Sequence, residues 1–176
     1  MMSTKTIVIM GPTASGKSDL AILLAQKYNG EIISADSRQV YRGLDIGSGK
    51  VSVDEQALVP HHLLDVASPK RTYNVTHFVR DAKRAIANIR KRGKTPIICG
   101  GTGFWIQALI EDQFFPAVKP NPELRKKLEK FSAEELFAQL KKKDPVRAQS
   151  IDAQNKVRLI RALEIVEALG AVPPLP

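Results

Sequence analysis

The residues best suited to chemistry form a glycine-rich loop near the N-terminus. The loop matches G-x-x-x-x-G-K-[ST] and reads Gly11-Pro12-Thr13-Ala14-Ser15-Gly16-Lys17-Ser18. In such a loop, backbone N–H groups and the N-terminus of the following helix bind phosphate oxygens. Lys17 adds a positive charge for the terminal phosphates, and Ser18 offers its hydroxyl to Mg²⁺, which prefers oxygen ligands. The motif therefore predicts a diphosphate or triphosphate site with Mg²⁺ as cofactor.

A carboxylate follows the second predicted strand, in the run Ile33-Ser34-Ala35-Asp36. Ligands of parallel sheets bind at the carboxyl ends of the strands, so Asp36 is a candidate general base or metal-shell residue. The alternative is an aspartate that only caps a turn. A motor ATPase would carry an apolar strand that ends in an acidic pair, whereas the strand at 95–99 leads into Gly100-Gly101-Thr102.

A second glycine string, Gly47-Ser48-Gly49-Lys50, looks similar to the first. It lacks the required spacing, and no strand precedes it. We expect a turn beside the site rather than a second phosphate loop.

Apolar runs and helical periodicity alternate through the first part of the chain. Strands are predicted at 6–10, 31–34 and 95–99, with a possible fourth at 62–66. Helices are predicted at 16–28, 74–92 and 103–111. The first helix has apolar positions Leu20, Leu23, Leu24 and Tyr28, and the second has Phe78, Ala82, Ile86 and Ile89 on one face. This alternation predicts an α/β fold, a P-loop NTPase-like parallel sheet flanked by helices.

The composition changes after Phe115, where Pro116, Pro120 and Pro122 interrupt the chain. The remainder is charged and helical, with helices predicted near 122–131, 133–143 and 154–169. Ser132 begins a capping-box pattern for the middle helix. We expect a core domain at 1–115 and a helical, basic arm at 116–176.

The chain is basic, with 27 Lys and Arg against 18 acids and a formal net charge of +9. The basic residues concentrate in segments 80–94 and 119–147. Such surfaces attract polyanions, although either segment alone could be a solvated helix face.

The remaining residue types favour structural roles. Cys99 follows apolar residues and is expected to be buried, and Trp105 is expected in the core rather than stacked on a base. His61, His62 and His77 lack metal-ligand spacing. No apolar run is long enough to suggest a membrane helix, and the first residues do not resemble a signal peptide. We therefore expect a cytoplasmic protein that does not associate with membranes.

Several strings together resemble the tRNA dimethylallyltransferase (isopentenyltransferase) family. After the phosphate loop come Asp36-Ser37-Arg38-Gln39-Val40-Tyr41, Pro60-His61-His62-Leu63-Leu64-Asp65, Gly100-Gly101-Thr102 and Arg158-Leu159-Ile160-Arg161-Ala162-Leu163-Glu164. The phosphate loop occurs in many families, but the combination with the next three strings is specific. The resemblance extends from residue 6 to about residue 170.

The resemblance implies a reaction and its partners. The loop would hold the diphosphate of dimethylallyl diphosphate, and the acceptor would be N6 of an adenine adjacent to the anticodon in tRNA. Asp36 resembles the base, and Lys17 and Mg²⁺ would stabilise the leaving diphosphate. Thr102 resembles the threonine that bonds near the bridging oxygen. Proteins of this family are expected to be monomeric.

The resemblance also implies RNA contacts. Asp36, Ser37, Arg38, Gln39 and Thr102 match residues around the adenine, which is expected to leave its stack. A second group of implied contacts comprises Arg125, Val157, Arg158, Leu159, Ile160 and Arg161. Without the resemblance, Arg158, Arg161 and Glu164 would be interpreted as a salt-bridge ladder on one helical face.

Two alternative functions remain at this stage, a P-loop small-molecule kinase and a non-catalytic module that binds diphosphate or RNA. Family chains normally continue well past residue 176 and bring a further arginine to the bridging oxygen. We therefore expect this chain alone to bind donor and RNA, to turn over slowly and to self-associate.

Overall fold

The computed structural model describes residues 5–173. The chain separates into two compact units, Met1–Gln113 and Phe114–Pro176. The division lies where the sequence changes from alternating strands and helices to charged helices, near residue 116. Each unit has a hydrophobic core of its own.

The first unit is built on a four-stranded parallel sheet flanked by helices, which confirms the predicted P-loop NTPase-like class. Its strands are β1 (Ile7–Met10), β2 (Gly30–Ser34), β3 (His61–His62) and β4 (Thr95–Gly100), in the order β1-β4-β2-β3. The register pairs Met10 with Gly100 and Ser34 with Cys99. Therefore β1, β4 and β2 end at one edge of the sheet, and the segments that follow them meet there.

The burial of each strand follows from its place in the sheet. All five residues of β2 are buried, whereas β1, at one end of the strand order, alternates between half-buried and exposed residues. The strand considered at 62–66 has only two residues, in β3. Leu63 and Asp65 adopt positive φ angles of 64° and 55°, which end the extended conformation.

The helices of the first unit are α1 (Lys17–Lys27), α2 (Val53–Leu58), α3 (Val75–Lys91) and α4 (Gly103–Ile110). The sequence predicts three of them within two residues at each end. It does not predict α2. This helix has only six residues and buries none of them, so its sequence needs no repeating apolar face.

Helix α1 packs on the sheet through small residues. Its buried side chains are Ala21, Ile22 and Ala25. The larger apolar residues that stand out in the sequence point elsewhere, with Leu20 47%, Leu23 63% and Tyr28 48% exposed. Alanines allow a helix backbone to approach the strands closely, so the buried face differs from the most apolar one.

Helix α3 buries the predicted face and begins at a side-chain cap. Phe78, Ala82 and Ile89 are fully buried. The Asn74 side chain accepts a hydrogen bond from the backbone N–H of His77, whose ring bonds back to the Asn74 N–H. The ring of Trp105 stacks on Phe78 with centroids 4.8 Å apart, so Trp105 is a core residue as predicted.

In the described part of the second unit, all regular secondary structure is helical. It contains α5 (Pro122–Leu128), α6 (Ala133–Lys143), α7 (Pro145–Ala148) and α8 (Lys156–Leu169). The predicted capping box at Ser132 and Glu135 is present at the start of α6. The core lies between α6 and α8 and includes Leu136, Leu140, Leu159 and Leu163. The unpredicted α7 has only four residues, too few for a periodic signal.

Two further sequence expectations concern burial and membranes. Cys99 lies in β4 with 8% of its surface exposed, and burial raises the pKa of its thiol. Between residues 5 and 173, no helix is long and apolar enough to cross a membrane.

Candidate functional site

The glycine-rich loop lies between β1 and α1, in the strand–loop–helix context that a phosphate site requires. Gly16 occupies the N-cap position of α1 with φ 74°, a left-handed conformation that favours glycine. Among residues 5–173, no side chain caps the first-turn N–H groups of α1. These donors, together with the positive end of the helix dipole, can therefore serve an anion.

Lys17 and Ser18 occupy the first turn of α1. The Lys17 ammonium donates to the Pro12 carbonyl and lies 3.4 Å from the Ser15 hydroxyl. An ammonium has three N–H donors, so one remains for a phosphate oxygen. The Ser18 hydroxyl has no hydrogen-bond partner within the described range and lines a pocket together with Lys17.

Asp36 begins a tight turn directly after β2. Its Oδ1 atom accepts hydrogen bonds from the backbone N–H groups of Arg38 at 2.8 Å and Gln39 at 3.3 Å. Its Oδ2 atom has no hydrogen-bond partner among residues 5–173. One oxygen therefore holds the turn, and the other remains able to accept a proton.

Thr102 joins the end of β4 to the Asp36 turn. Its hydroxyl oxygen accepts from the Ser37 N–H at 2.9 Å, and its own N–H donates to the Ala35 carbonyl at 3.2 Å. Since the oxygen acts as acceptor toward Ser37, the hydroxyl hydrogen remains available to a ligand. A Cβ at Gly100 would lie 2.2 Å from the Ala35 oxygen, so this approach of the two segments requires glycine.

One pocket at the carboxyl edge of the sheet brings the phosphate loop and Asp36 together, whereas Thr102 follows the wall residue Gly101 and does not itself line the pocket. Its walls include Thr13, Lys17, Ser18, Asp36, Gln39 and Gly101. The turn at 47–49, which the sequence places beside the site, contributes Ser48 and Gly49. The pocket thus combines a phosphate cradle, a partly free carboxylate, several side-chain hydroxyls and the Gln39 amide within one cleft.

The model of the IPP transferase family matches residues 39–174. The chain belongs to the IPP transferase family. It is 47% identical over 169 residues to the tRNA dimethylallyltransferase of Anoxybacillus flavithermus, covering 96% of this chain and 54% of the relative. It is 49% identical over 162 residues to that of Leuconostoc citreum, covering 92% and 55%. The chain thus spans about half the length of the curated relatives it matches.

Solved structures show the same relationship. The full-length tRNA isopentenylpyrophosphate transferase from Bacillus halodurans superposes with a TM-score of 0.64 at 39% identity, covering 96% of this chain and 57% of that one. A eukaryotic dimethylallyltransferase acting on tRNA gives a TM-score of 0.77 at 36% identity, covering 93% and 42%.

In this member of the IPP transferase family, the proposed RNA stretch of α8 divides between surface and core. Val157 is 79% exposed and Arg158 is exposed. Leu159 is fully buried and Ile160 is 8% exposed, because both belong to the core of the second unit. Contact with RNA through side chains is therefore open to Val157 and Arg158 but not to the next two residues.

Arg125 and Arg161 share a buried acid. Both bond to Glu164, which is 1% exposed; Arg125 does so through Nε and Nη2 at 2.9 and 2.8 Å. Burial opposes ionisation of Glu164, but these arginines and the Asn121 N–H hold its pKa at about 2. Arg161 also donates to the Val118 carbonyl at 2.9 Å. The Arg125 Nη1 group has no partner in the described part of the chain, so Arg125 retains a free donor.

Acids pair with four of the seven cations in the basic segment at 80–94. Arg80 pairs with Asp81, and Lys83 pairs with Asp112. Arg92, Lys94 and His62 surround Glu31, a buried acid at 3% exposure. Burial would raise the pKa of Glu31, but hydrogen bonds from Lys94, His62 and Arg92 bring it to about 2. This segment therefore includes a structural ion-pair cluster.

The oxygen donors of the site fit Mg²⁺ better than a metal held by protein ligands alone. No group of three or more His, Cys, Asp or Glu able to hold a metal occurs in residues 5–173. The Ser18 hydroxyl lines the pocket that would receive the phosphates. Mg²⁺ commonly binds through one or two protein oxygens together with substrate phosphates, so this hydroxyl suits it.

Proposed function

We propose that this chain forms the catalytic part of a tRNA dimethylallyltransferase. The reaction moves a dimethylallyl group from dimethylallyl diphosphate to N6 of an adenine adjacent to the anticodon. The observation that carries the proposal is the meeting of the phosphate loop and Asp36 in one pocket, with Thr102 bonded to the Asp36 turn, in a member of the IPP transferase family. The names of the relatives support it.

The phosphate loop suits the leaving group of this reaction. As the bond between the dimethylallyl carbon and the bridging oxygen breaks, negative charge builds on the diphosphate. The first-turn N–H groups of α1, the Lys17 ammonium and the Thr102 hydroxyl can donate to that charge. Mg²⁺, held by Ser18, would add positive charge at the same phosphates when bound.

Asp36 suits the acceptor half of the reaction. The lone pair of an exocyclic adenine nitrogen is delocalised into the ring, so the nitrogen is a weak nucleophile. In our proposal N6 forms the new bond to carbon, and its proton passes to the free Asp36 oxygen. The two backbone hydrogen bonds to the other oxygen keep the carboxylate oriented during this transfer.

Surface charge supports a role in binding tRNA. Arg158 and the free donor of Arg125 are available to RNA phosphates in the second unit. In the first unit, Ser37, Arg38 and Gln39 surround the proposed base and would contact the acceptor nucleotide.

An assay of transfer tests the proposal directly. The chain is incubated with unmodified tRNA, dimethylallyl diphosphate and Mg²⁺, and digested nucleosides are examined by mass spectrometry. We expect dimethylallyl-adenosine that depends on both the donor and Lys17. ATP consumption without a modified nucleoside would instead indicate a P-loop kinase and overturn the proposal.

A further inference from the structure

The second glycine string, next to the proposed site, ends in Lys50, whose side chain is buried. Only 4% of its side chain is exposed, and its ammonium donates to Asp45 at 2.7 Å, to Asp65 at 2.5 Å and to the Tyr41 carbonyl at 3.0 Å. All three N–H donors are therefore used. Burial opposes the charge, but the hydrogen bonds with Asp45 and Asp65 raise the pKa of Lys50 above its ordinary value.

The cluster joins two segments that are separate in the sequence. Within the turn, the Lys50 N–H donates to the Asp45 carbonyl and the Gly49 N–H donates to the Ile46 carbonyl. Asp65 belongs to the segment after β3, where its N–H donates to the Gln39 carbonyl at 3.2 Å. Lys50 thus links the turn at 45–50 to Asp65, whose backbone N–H bonds to Gln39.

The turn at 45–50 also orients the Gln39 amide. The Gln39 Nε2 group donates to the Gly49 carbonyl at 3.0 Å, and its Oε1 atom accepts from the Ser34 hydroxyl at 3.1 Å. A carbonyl can only accept, so Gly49 requires the NH₂ end of the amide to face it. A serine hydroxyl could satisfy either end. The orientation of Gln39 is therefore decided by Gly49.

We propose that Lys50 is a positioning residue for the acceptor base, acting through Gly49 and Gln39. Gln39 lines the pocket with Asp36 and retains one N–H and one lone pair. A glutamine amide with a donor and an acceptor at fixed positions can pair with the edge of an adenine. The inference rests on the proposed function, since it assigns Gln39 to the acceptor of that reaction.

Three variants of the whole chain test this role. Lys50→Met removes the ammonium, Lys50→Arg keeps a buried cation, and Lys70→Met removes an exposed lysine without a side-chain partner in the described residues. Asp45 and Asp65 remain 66% and 43% exposed, so Lys50→Met leaves no buried unpaired charge and should fold. Thermal unfolding of each variant checks this.

The expected signature is a loss on the acceptor side only. Lys50→Met should raise the KM for tRNA about tenfold, the effect of one lost oriented hydrogen bond, while kcat and the Kd for inorganic pyrophosphate change less than about threefold. Lys50→Arg should have a KM for tRNA close to that of the wild type, and Lys70→Met should match the wild type in all three quantities. In a Gln39→Ala background, Lys50→Met should cause no further loss, because the two residues act in series.

Hydrogen exchange separates this inference from the proposed function. Lys50→Met should speed exchange of the backbone amides at positions 49 and 50, whether or not the chain transfers a prenyl group. Unchanged exchange, an unchanged KM for tRNA, or an equal loss of pyrophosphate affinity would overturn the positioning role. A wild-type chain that forms no modified nucleoside would overturn the proposed function instead, while the exchange result would still report on the turn.

Discussion

At the scale of single residues, Asp36 resolves two interpretations that the sequence leaves open. The turn role belongs to Oδ1, which accepts from Arg38 and Gln39, and the proposed base role belongs to Oδ2. One side chain can therefore hold the turn and still supply the proposed base. Holding the carboxylate by one oxygen also limits the directions in which the other can accept a proton.

Asp36→Asn separates these two roles. The asparagine oxygen can still accept both backbone hydrogen bonds, so the turn should survive while the base is lost. We expect the single-turnover rate to fall by roughly 10²–10⁴ with tRNA affinity nearly unchanged. If the loss appears only as weaker tRNA binding, Asp36 recognises the substrate and the base lies elsewhere.

Lys17→Ala tests the phosphate loop. Removal of a charge directed at the leaving group should slow transfer by at least ~10²-fold and weaken binding of inorganic pyrophosphate. Lys27→Ala, at the opposite end of α1, is the matched control and should change neither quantity. Equal rates and affinities for the two variants would remove the loop from the mechanism.

At the scale of elements, the end of β4 positions the site through Gly100. Gly100 packs against the backbone of Ala35, one residue before Asp36, whereas a Cβ at Gly101 would meet only the Gly11 oxygen at an ordinary 3.6 Å. The two glycines are adjacent, but only the first is required by a close approach of two segments.

Gly100→Ala should therefore separate β4 from the Asp36 turn. We expect a loss of about 1–3 kcal/mol in the free energy of unfolding, typical of overpacking, together with a large loss of transfer activity. Gly101→Ala should cost less than about 1 kcal/mol because it introduces no clash. Denaturant titration of both variants measures the difference, and equal stabilities would contradict this account of Gly100.

Helix α8 carries two arginines with different surroundings. The Arg158 side chain is exposed and has no partner in the described residues, whereas Arg161 bonds to buried Glu164 and to the Val118 carbonyl. The ladder interpretation thus applies to Arg161 and Glu164, and not to Arg158.

Single substitutions should distinguish these arginines. Arg158→Ala should reduce the slope of log affinity for tRNA against log salt by about 0.7–0.9, the contribution of one phosphate contact, and leave stability unchanged. Arg161→Ala should lower stability by leaving Glu164 short of a partner. Salt titrations and thermal unfolding of both variants test this, and an unchanged slope for Arg158→Ala would exclude its phosphate contact.

At the scale of the whole molecule, the described part of each compact unit contains a buried glutamate that pairs with cations. Glu31 lies in the first unit and Glu164 in the second, and both have a pKa of about 2 instead of the ordinary 4.5. Because folding lowers these values, the stability they contribute is fully present above pH 4.5. It is lost as the pH falls from about 4.5 toward 2.

Acid titration should therefore destabilise both units across that range. Glu164→Gln should weaken the pH dependence of the second unit, and Glu31→Gln should weaken that of the first. Glu167→Gln, which removes an exposed pair with Lys143, is the control and should leave the acid transition in place. Circular dichroism during acid titration of the three variants provides the measurement. Identical transitions in all of them would show that these buried pairs do not control acid stability.

The sequence by itself determined the features that depend on local patterns. The phosphate loop, the three main strands, the capping box at Ser132 and the family resemblance all follow from residue types at fixed short spacings. The physical reason is that strand periodicity, helix capping and the backbone of a phosphate loop are set by residues only a few positions apart.

Only the tertiary structure decided which side chains share the site. The Ser37 N–H and the Thr102 hydroxyl are separated by 65 positions, and Arg125 reaches Glu164 across 39. Such contacts depend on how the strands align and on which helix face packs inward, as the exposed Leu23 and the buried Leu159 illustrate. Lys50 shows the same limit, because its second acid, Asp65, lies 15 positions away in another segment.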